Sequence, residues 1–409
     1  MVEAVSEEIF ITIVGAGVVG CSIAFELSKD ISREIVVIER NEQIRGENQS
    51  SRNSGVIHAG IYYPNDFGPL KSRFCVDGNN LLYDFCSKHK IPHKKTGKLV
   101  VATSELEEEY LEDVYKIAIE NQVPDVRYIS SKEIKKYEPN VYGLSALYVP
   151  TTGIVEPTSL VFSLYKLAEE NGVIFLTGNK VVEIEQNRGF FNVGLKSRTG
   201  LEKFRSKILI NSAGLYSDEI VKMINPESPF EIEPVKGEWA KFYSTKRKNI
   251  GMSGFNVYPV PSGYLPNGEK LNVPFKDFER LFKENKVTKS VGVHLSPTFD
   301  LQDNNYIIGN TFTIGPAYSK PENKEDYKYT RNEKYFLDMV LPFFPNLKLE
   351  DISLHQTGIR AKLKNHYDFI IERDNKYPHC INLIGIDSPG LTSCLAIAKY
   401  VKNLVKELI

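Results

Sequence analysis

The first forty residues combine two continuous apolar runs with a glycine turn and a largely apolar helical segment between them. The run "IFITIV" predicts a buried strand, "VVGCSIAFELSK" predicts a helix, and "EIVVIER" predicts a second strand. Unbroken apolar runs are typical of strands that are covered on both faces in a parallel sheet. The chain therefore begins as a strand–helix–strand unit, with a glycine-rich turn between the first strand and the helix.

Two later segments repeat the buried-strand pattern. "FRSKILINSAG" predicts a strand that ends at Ala213 and Gly214, and "CINLIGIDSPGLTSCLAIAKYVKNLV" predicts a strand, a turn and an amphipathic helix. Between these segments, "KLVVATS" and "KVVEIEQ" alternate like strands, whereas "SELEEEYLEDVYKIAIENQ" and "NEKYFLDMVLPFF" have helical spacing. One sheet is thus built from the beginning, middle and end of the chain.

This pattern predicts an α/β fold with two interleaved domains. A Rossmann-like domain is expected from three chain segments, and an α+β substrate domain with an antiparallel or mixed sheet is expected from the remainder. The predicted segments are 1–90, 150–220 and 350–409 for the first domain, and 91–149 and 221–349 for the second.

Composition excludes several classes of protein. The 409 residues carry a net charge of −1, so no general attraction to nucleic acid is expected. No apolar run reaches the roughly 18 residues that span a bilayer, and the acidic start "MVEAVSEEIF" does not resemble a signal peptide. The five cysteines are scattered and lack CxxC spacing. We expect a cytoplasmic protein without a bound metal.

The glycine turn carries the first candidate chemistry. Gly15, Gly17 and Gly20 form a GxGxxG motif, in which the first glycine makes the turn, the second admits a pyrophosphate and the third packs the helix on the strand. Glu39 ends the second strand, where a carboxylate accepts the ribose hydroxyls. An acidic residue here favours a free 2′-hydroxyl, and hence FAD or NAD over NADP.

The segment after the second strand distinguishes between these two cofactors. An NAD-binding domain usually continues in βαβ units, whereas residues 45–63 form a long polar stretch without helical spacing. Loops of this length in a compact domain are usually functional. Within this loop, a run of small residues precedes the lone His58. Such a run is typical of a segment whose backbone lies close to a flat or charged group. The interruption favours FAD.

The chain resembles FAD-dependent oxidoreductases of the D-amino-acid-oxidase superfamily. Within it, the closest resemblance is to the L-2-hydroxyglutarate dehydrogenase/oxidase family, with glycerol-3-phosphate oxidases as near relatives. The matching stretches follow the family's order over nearly the whole chain: "VGAGVVG", "NSGVIHAGIYY", "GKLVVA", "TGIVEP", "NSAGLYSD", "PVKGEW", "NVYPVP", "VGVHLSP", "GIRAKL" and "SPGLTSCLAIA".

This resemblance implies an enzyme that oxidises a small 2-hydroxy acid to the 2-oxo acid by hydride transfer to flavin N5. L-2-Hydroxyglutarate is the leading candidate substrate. Oxidation of glycerol 3-phosphate, a small amine or an amino acid is the alternative within the superfamily, and a flavin-binding electron-relay subunit is the non-enzymatic alternative. The electron acceptor stays open among oxygen, a quinone and a carrier protein.

His58 has three candidate roles. The resemblance implies that its loop lies against the flavin and that His58 faces the substrate. Removal of the hydroxyl proton needs a base, and histidine titrates near neutral pH. Alternatively, His58 bonds a backbone carbonyl, or it attaches the flavin covalently as a loop histidine does in related amine-oxidising enzymes.

Arg360, in "TGIRAKL", is the candidate for binding the substrate carboxylate, because a guanidinium forms two parallel hydrogen bonds with it. Tyr62 and Tyr258 are predicted either as walls of the substrate pocket or as core residues. His294 is predicted either as a second polar contact in the active site or as a satisfied core histidine.

The stretch "PVKGEW" contributes Lys236 and Glu238 near the expected flavin, although such side chains are usually solvated. A phosphate substrate would need a second basic residue near Arg360, for which Lys362 is the candidate. The turn from Asp387 opens the last helix, and the resemblance implies that the positive end of this helix stabilises the reduced flavin.

The resemblance also implies a set of FAD-binding residues. They come from the glycine turn, the end of the second strand, the polar loop and the later strand ends: Gly15, Gly17, Val18, Gly20, Glu39, Arg40, Ser51, Asn53, Ser54, Gly55, Val182, Ala213, Gly214, Gly358, Ser388, Pro389, Gly390 and Leu391.

Three features depart from the family pattern, all in the substrate domain. Thr298 and Phe299 replace an arginine and a methionine, "GNTFTIGP" replaces a "GPNA" region, and residues 262–289 form an insertion. In the insertion, "VPFKDFERLFKENK" predicts a helix with an apolar face and a mainly basic one. The apolar face either contacts the inner surface of a membrane peripherally, or packs on this domain or on a second subunit. Its apolar residues are Phe275, Phe278, Leu281 and Phe282.

Overall fold

The apolar runs form strands and helices in the structure, a computed structural model that describes residues 8–187, 189–265, 269–303 and 305–409. The strands are β1 Glu8–Val14, β2 Ile35–Ile38, β3 Val56–Ile57, β4 His93–Lys94, β5 Lys98–Ala102, β6 Arg127–Ser130, β7 Ser145–Val149, β8 Gly153–Val155, β9 Ile174–Leu176, β10 Lys180–Asn187, β11 Phe190–Lys196, β12 Leu201–Asn211, β13 Val235–Tyr243, β14 Asn256–Pro259, β15 Ser262–Tyr264, β16 Thr288–Ser290, β17 His294–Gln302, β18 Asn305–Ser319, β19 Ile352–Arg360, β20 Ile370–Arg373 and β21 Cys380–Ile384. The α-helices are α1 Val18–Ser28, α2 Pro69–Lys88, α3 Glu105–Glu120, α4 Ser131–Tyr137, α5 Pro157–Glu170, α6 Ser217–Ile224, α7 Phe275–Lys283, α8 Glu333–Val340 and α9 Gly390–Lys406.

The first sheet is parallel at its centre and is drawn from all three predicted segments. Strands β9, β2, β1, β12 and β21 run parallel in that order. The β10–β11 hairpin continues from β12, and β20 pairs antiparallel with β21. Alternate side chains of β1, such as Ile11 and Ile13, pack with α1, α5 and α9, whereas Val14 packs toward α6. Because helices cover both faces, its parallel strands are apolar throughout.

The second sheet is mixed, with the strand order β19-β13-β18-β17-β14-β5-β7-β6. Only β14 and β5 pair in parallel within this order. The sequence-based boundary at residue 350 assigns β19 to the dinucleotide-binding domain, but β19 pairs with β13 and so belongs to this sheet. The alternation of a strand shows which of its faces is apolar, and it does not show which sheet the strand joins.

Within its described part, the insertion forms a hairpin, β15 and β16, and the helix α7. Phe278 is buried, with its ring centroid 5.4 Å from that of Tyr110 on α3, and Phe275 lies 5.2 Å from the same ring. The apolar face of α7 therefore packs on its own domain through Phe278, whereas Phe275, Leu281 and Phe282 are partly exposed. Peripheral contact with a membrane stays a prediction. Across the described ranges, no helix has the length and apolar character to cross a membrane.

Candidate active site

The glycine turn joins β1 to α1. Gly15 has φ +99°, a conformation that other L residues rarely adopt. A Cβ on Gly20 would lie 1.9 Å from the Gly15 carbonyl oxygen, so the close packing of α1 on the turn requires glycine there. Gly17 differs, because its nearest obstacle is the Ser50 hydroxyl, 3.3 Å from the position of a Cβ. Gly17 therefore leaves open space at the start of the helix.

Glu39 lies beside this turn, at the end of β2. Its carboxylate accepts hydrogen bonds from the backbone N–H groups of Ala16, at 2.8 Å, and Asn41, at 2.9 Å. These bonds fix the side chain in a buried position and leave further lone pairs available. The arrangement can bind a diol, as the sequence predicts.

A cavity of about 290 Å³ extends from Glu39 and the glycine turn. It brings together seven predicted cofactor residues: Gly15, Gly17, Glu39, Arg40, Val182, Ala213 and Gly214. Sequence reasoning missed Ser50, which also lines the cavity and whose hydroxyl accepts a hydrogen bond from the Val18 N–H at 3.0 Å. The sequence did hold a signal for Ser50, because this residue begins the run of small residues in the loop.

The remaining predicted loop residues stabilise the loop itself. The Ser51 hydroxyl accepts a hydrogen bond from the Gly46 N–H at 3.1 Å, and Asn53 accepts one from the Gly55 N–H at 2.9 Å. Gly358 on β19 lies against the backbone of Arg52, whose carbonyl oxygen would be 3.2 Å from a Cβ there. Of the predicted cofactor residues, those absent from the cavity lining are Val18, Gly20, Ser51, Asn53, Ser54, Gly55, Gly358, Ser388, Pro389, Gly390 and Leu391.

His58 lies where the loop meets the start of α9. Its backbone N–H donates to the Thr392 hydroxyl at 3.0 Å, and its carbonyl accepts from the Asn79 amide at 2.9 Å. The ring Nε2 is 3.4 Å from the Ser388 hydroxyl, and the buried Nδ1 has no hydrogen-bond partner in the described structure. The backbone is thus fixed on both sides while one ring nitrogen is left unpaired.

The His58 imidazole is kept neutral by its surroundings. Burial disfavours the charged form, and the nearby Lys98, His294 and Arg360 add positive charge. Together they hold the pKa of His58 well below its ordinary value of 6.5. An unprotonated ring at neutral pH can accept a proton.

Arg360, at the end of β19, is held by two groups. One terminal nitrogen donates to the Tyr318 hydroxyl at 2.8 Å, and the other donates to the Asp387 carboxylate at 2.6 Å. Asp387 also accepts from Lys71 at 2.8 Å, so one carboxylate lies between two cations. Burial opposes ionisation of Asp387, but Lys71 and Arg360 hold its pKa below the ordinary value. The buried Nε of Arg360 has no partner in the described chain.

The second sheet contributes a row of side chains to the same region. Tyr258 on β14 is buried, and its ring stacks on that of His294 with centroids 3.6 Å apart. Tyr62 stacks more loosely on Tyr258, at 6.3 Å, and its buried hydroxyl has no partner in the described structure. Burial lowers the pKa of His294 to about 3, so this ring is neutral.

Lys98, which sequence reasoning missed, completes the row. Its side chain is 1% exposed, and its Nζ lies 3.7 Å from the centroid of the Tyr258 ring. A single lysine at the head of the apolar run "KLVVA" was the available signal. A lysine at the end of an apolar run usually marks the exposed end of a strand, so this signal is weak.

Three weaker candidates lie away from this region or have other roles. Lys236 is fully buried and donates to Asp326 at 2.8 Å, and the Glu238 carboxylate accepts from Ser319 at 2.7 Å. Both are satisfied within their own domain and are not solvated as expected. Lys362 is exposed, so it does not supply a second cation beside Arg360.

The two departures on β17 also lie away from the row. The Thr298 hydroxyl donates to the Thr311 carbonyl, and the Phe299 ring contacts Tyr306 edge-on. Phe299 lies five positions beyond His294 along the strand, a distance of about 17 Å. The two replacements are therefore poor evidence about the substrate.

The whole region fits a bound dinucleotide followed by a small anion. The space above Gly17, which a Cβ would fill, suits a pyrophosphate at the N-terminus of α1. The carboxylate of Glu39 suits a ribose. The described part of the chain contains no group of three or more potential metal ligands.

Known proteins match this chain over nearly its whole length. A family model described as "FAD dependent oxidoreductase" matches residues 11–404. An L-2-hydroxyglutarate dehydrogenase of Caenorhabditis elegans is 31% identical over 96% of this chain and 92% of that protein. A glycerol 3-phosphate dehydrogenase of Caloramator mitchellensis is 30% identical over 97% of this chain and 74% of that protein.

Solved structures give the same result for the fold. A reduced L-α-glycerophosphate oxidase from Mycoplasma pneumoniae with FAD bound superimposes with a TM-score of 0.80. It is 25% identical, and the alignment covers 98% of this chain and 95% of that structure. The predicted α/β architecture and its cofactor are confirmed.

Proposed function

Because this chain belongs to the FAD-dependent oxidoreductase family, we propose that it oxidises a small 2-hydroxy acid to the 2-oxo acid, with L-2-hydroxyglutarate as the leading candidate. One observation carries the proposal: a neutral imidazole and an anchored guanidinium lie together where the two sheets meet. His58 is within 3.4 Å of Ser388, and the adjoining Asp387 is bonded to Arg360. A base beside a carboxylate-binding group is what oxidation of a hydroxy acid requires.

Each group has a defined task in this proposal. FAD, held in the cavity beside the glycine turn and Glu39, would supply the hydride acceptor for the carbon that carries the hydroxyl group. His58 accepts the hydroxyl proton at Nε2, where the substrate hydroxyl displaces the contact with Ser388. Arg360 binds the substrate carboxylate through its remaining terminal N–H bonds, while Asp387 and Tyr318 fix the plane of the guanidinium. Positioning of this kind lowers the entropic cost of reaching the transition state.

Glycerol 3-phosphate is the second candidate substrate. The similarity to a glycerol 3-phosphate dehydrogenase and to the Mycoplasma oxidase supports it. Several L-2-hydroxyglutarate dehydrogenases match at comparable identity, including those of C. elegans and of other organisms. The electron acceptor and a cytoplasmic location remain predictions.

Anaerobic mixing tests the proposal. The purified yellow protein is combined separately with L-2-hydroxyglutarate, L-lactate, glycerol 3-phosphate, glycine and L-proline, and the flavin absorbance is followed. We expect rapid bleaching by L-2-hydroxyglutarate. Faster bleaching by glycerol 3-phosphate or an amino acid than by either hydroxy acid would assign the enzyme to a different substrate class, and no bleaching by any compound would favour an electron-relay subunit.

Gly17→Val should give a folded protein without FAD. Gly17 has φ −71° and ψ −178°, which valine adopts readily, so the substitution fills the space expected for the pyrophosphate without straining the backbone. The flavin-to-protein absorbance ratio of the purified protein is the measurement.

Gly251→Val is a matched control. Gly251 has φ −61°, and a Cβ there also has its nearest neighbour at 3.3 Å, but the residue lies outside the cavity. This control should retain FAD. A fully yellow Gly17→Val protein would show that the dinucleotide lies elsewhere.

The pH dependence of kcat/KM should lack the acidic limb of an ordinary histidine. The base acts in its neutral form, which persists to lower pH when the folded-state pKa is lowered, as it is for His58. We expect kcat/KM at pH 5.5 within about twofold of its value at pH 7, since kcat/KM reports the free enzyme. With a pKa of 6.5 it would fall roughly tenfold at pH 5.5. A tenfold fall would contradict the assigned surroundings of His58.

A further inference from the structure

Lys98 is a buried cation for which the fold provides no acceptor. Within the described chain its ammonium group forms no hydrogen bond or ion pair, and it contacts the ring faces of Tyr258, at 3.7 Å, and Tyr62, at 4.8 Å. Lysine is rarely buried without a partner, because removing its charge from water is costly. Contact with an aromatic face recovers only about 2 kcal/mol.

Other buried lysines of this protein are paired. Lys236 is bonded to Asp326 and to the Lys328 carbonyl, and Lys71 is bonded to Asp387. These lysines have a structural explanation within their own surroundings. The different situation of Lys98 points to an acceptor that comes from outside the chain.

The position of Lys98 places that acceptor beside the proposed substrate. Lys98 and Arg360 both lie close enough to His58 to lower the pKa of its imidazole, and Lys98 contacts Tyr258, whose ring stacks on that of His294. Lys98 stands on β5 and Arg360 on β19, with four strands between them in one sheet, so only the charged ends of these long side chains can approach one small ligand. A ligand that reaches both must carry anionic groups separated by several atoms.

The local charge is consistent with such a ligand. Asp387 lies between Lys71 and Arg360, so these three side chains together carry one positive charge. Lys98 supplies a second positive charge when it is protonated. These two positive charges are not neutralised by carboxylates of the chain, so a ligand with two anionic groups can neutralise them.

We propose that Lys98 binds a second carboxylate of the substrate, so that the site selects dicarboxylic 2-hydroxy acids over monocarboxylic ones. This inference rests on the proposed function, in which Arg360 binds the carboxylate next to the hydroxyl group. Tyr62 and Tyr258 form the walls around the Lys98 ammonium group.

Calorimetric titration of the purified yellow protein at pH 6.5 tests the inference without turnover. The probes are glutarate, a dicarboxylate, and butyrate, which has one carboxylate fewer and a similar carbon chain. Lys98→Met keeps the length and apolar character of the buried stem. It should weaken glutarate binding by at least about 30-fold, as truncation of one member of a buried ion pair does, and change butyrate binding by less than threefold.

Two further variants complete the comparison. Lys98→Arg keeps the charge and should retain more glutarate affinity than Lys98→Met. Lys289→Met removes a positive charge from the same domain, from a lysine bonded to Asp113 outside the site, and should leave both affinities unchanged. Equal losses for glutarate and butyrate in Lys98→Met, or no loss for either, would overturn the inference.

The pH dependence of the wild-type protein gives a test that needs no variant. Burial lowers the pKa of Lys98 to about 7, so the ammonium charge is lost as the pH rises above that value. Glutarate binding should then weaken progressively between pH 7 and 9, approaching tenfold per pH unit, and butyrate binding should stay constant. A constant glutarate affinity over this range would count against the inference.

The other titratable groups that face Lys98 keep one charge state over this range. Tyr62 and Tyr258 stay neutral because burial raises their pKa values, as it does for the Cys75 thiol. His58 and His294 are already neutral, since burial lowers the pKa of each ring. The change therefore reports Lys98.

The outcomes separate this inference from the proposed function. If 2-hydroxy acids bleach the flavin but glutarate gains nothing from Lys98, the function stands and the inference fails. If Lys98-dependent glutarate binding is found without bleaching by hydroxy acids, the inference stands and the function fails. Tight binding of glycerol 3-phosphate, lost in Lys98→Met, with no binding of glutarate would identify the second anionic group as phosphate and overturn the carboxylate assignment.

Discussion

His58→Ala should bind FAD normally and reduce it about 10²–10⁴-fold more slowly than the parent protein, the usual contribution of a general base. The fold should tolerate the change, because the polar contacts that fix this position are made by its backbone, to Thr392 and Asn79. The described ring makes no hydrogen bond to a backbone carbonyl, which argues against the purely structural role. The measurement is the anaerobic flavin-reduction rate at saturating L-2-hydroxyglutarate.

Two variants and one rescue experiment test whether His58 removes a proton or only fills space in the site. His58→Gln keeps a polar side chain near Ser388 but cannot act as a base, so it should be as slow as His58→Ala. Added imidazole should partly restore the alanine variant. His355→Ala, which removes an exposed histidine elsewhere on β19, is the control and should react at the parent rate. A rate within a few-fold of the parent in both His58 variants would eliminate the base role.

Acid precipitation tests the third role of His58. If the parent protein retains its flavin after precipitation and His58→Ala does not, the histidine attaches the cofactor covalently. We expect the flavin to be released from both proteins, because the proposed role requires a free ring nitrogen.

Arg360→Ala should reduce kcat/KM by a factor equivalent to about 2–5 kcal/mol, the cost of removing one member of a buried, hydrogen-bonded charge pair. The loss has two sources. The substrate carboxylate loses its guanidinium, and Asp387 loses one of the two cations that hold its pKa down. Arg360→Lys should restore only part of the rate, because an ammonium cannot form the planar fork.

The control is an arginine that pairs with a buried aspartate elsewhere. Arg247 bonds Asp351 at the start of β19, so Arg247→Lys disturbs a similar ion pair outside the site. It should alter thermal stability more than kcat/KM. Equal kinetics for the parent and Arg360→Lys would contradict two-point binding of the carboxylate.

Local chemistry in the sequence predicted several of the residues that lie together at the proposed dinucleotide end of the site. The turn at Gly15, the packing of Gly20 and the position of Glu39 follow from one short strand–helix–strand unit, in which each role depends on residues close in the chain. The order of apolar runs also predicted that three segments share one sheet.

The substrate end could not be predicted to the same extent, because its groups come from distant parts of the chain. Asp387 meets Lys71 across 316 positions, and Lys98 meets Tyr258 only because β5 and β14 are neighbours. No local pattern predicts such pairs. The assignment of β19 to the dinucleotide-binding domain differs from the structure for the same reason. The strand with which β19 pairs depends on the whole sheet and not on residues close in the chain.

Rapid anaerobic mixing of the purified protein with L-2-hydroxyglutarate, followed by chemical identification of the product, tests the central claim most directly. The account predicts that the flavin absorbance is lost in a single turnover, with one equivalent of 2-oxoglutarate formed per flavin, and that the loss is at least about 100-fold slower in His58→Ala. An unchanged flavin spectrum at millimolar L-2-hydroxyglutarate, together with bleaching by glycerol 3-phosphate or an amino acid, would contradict it.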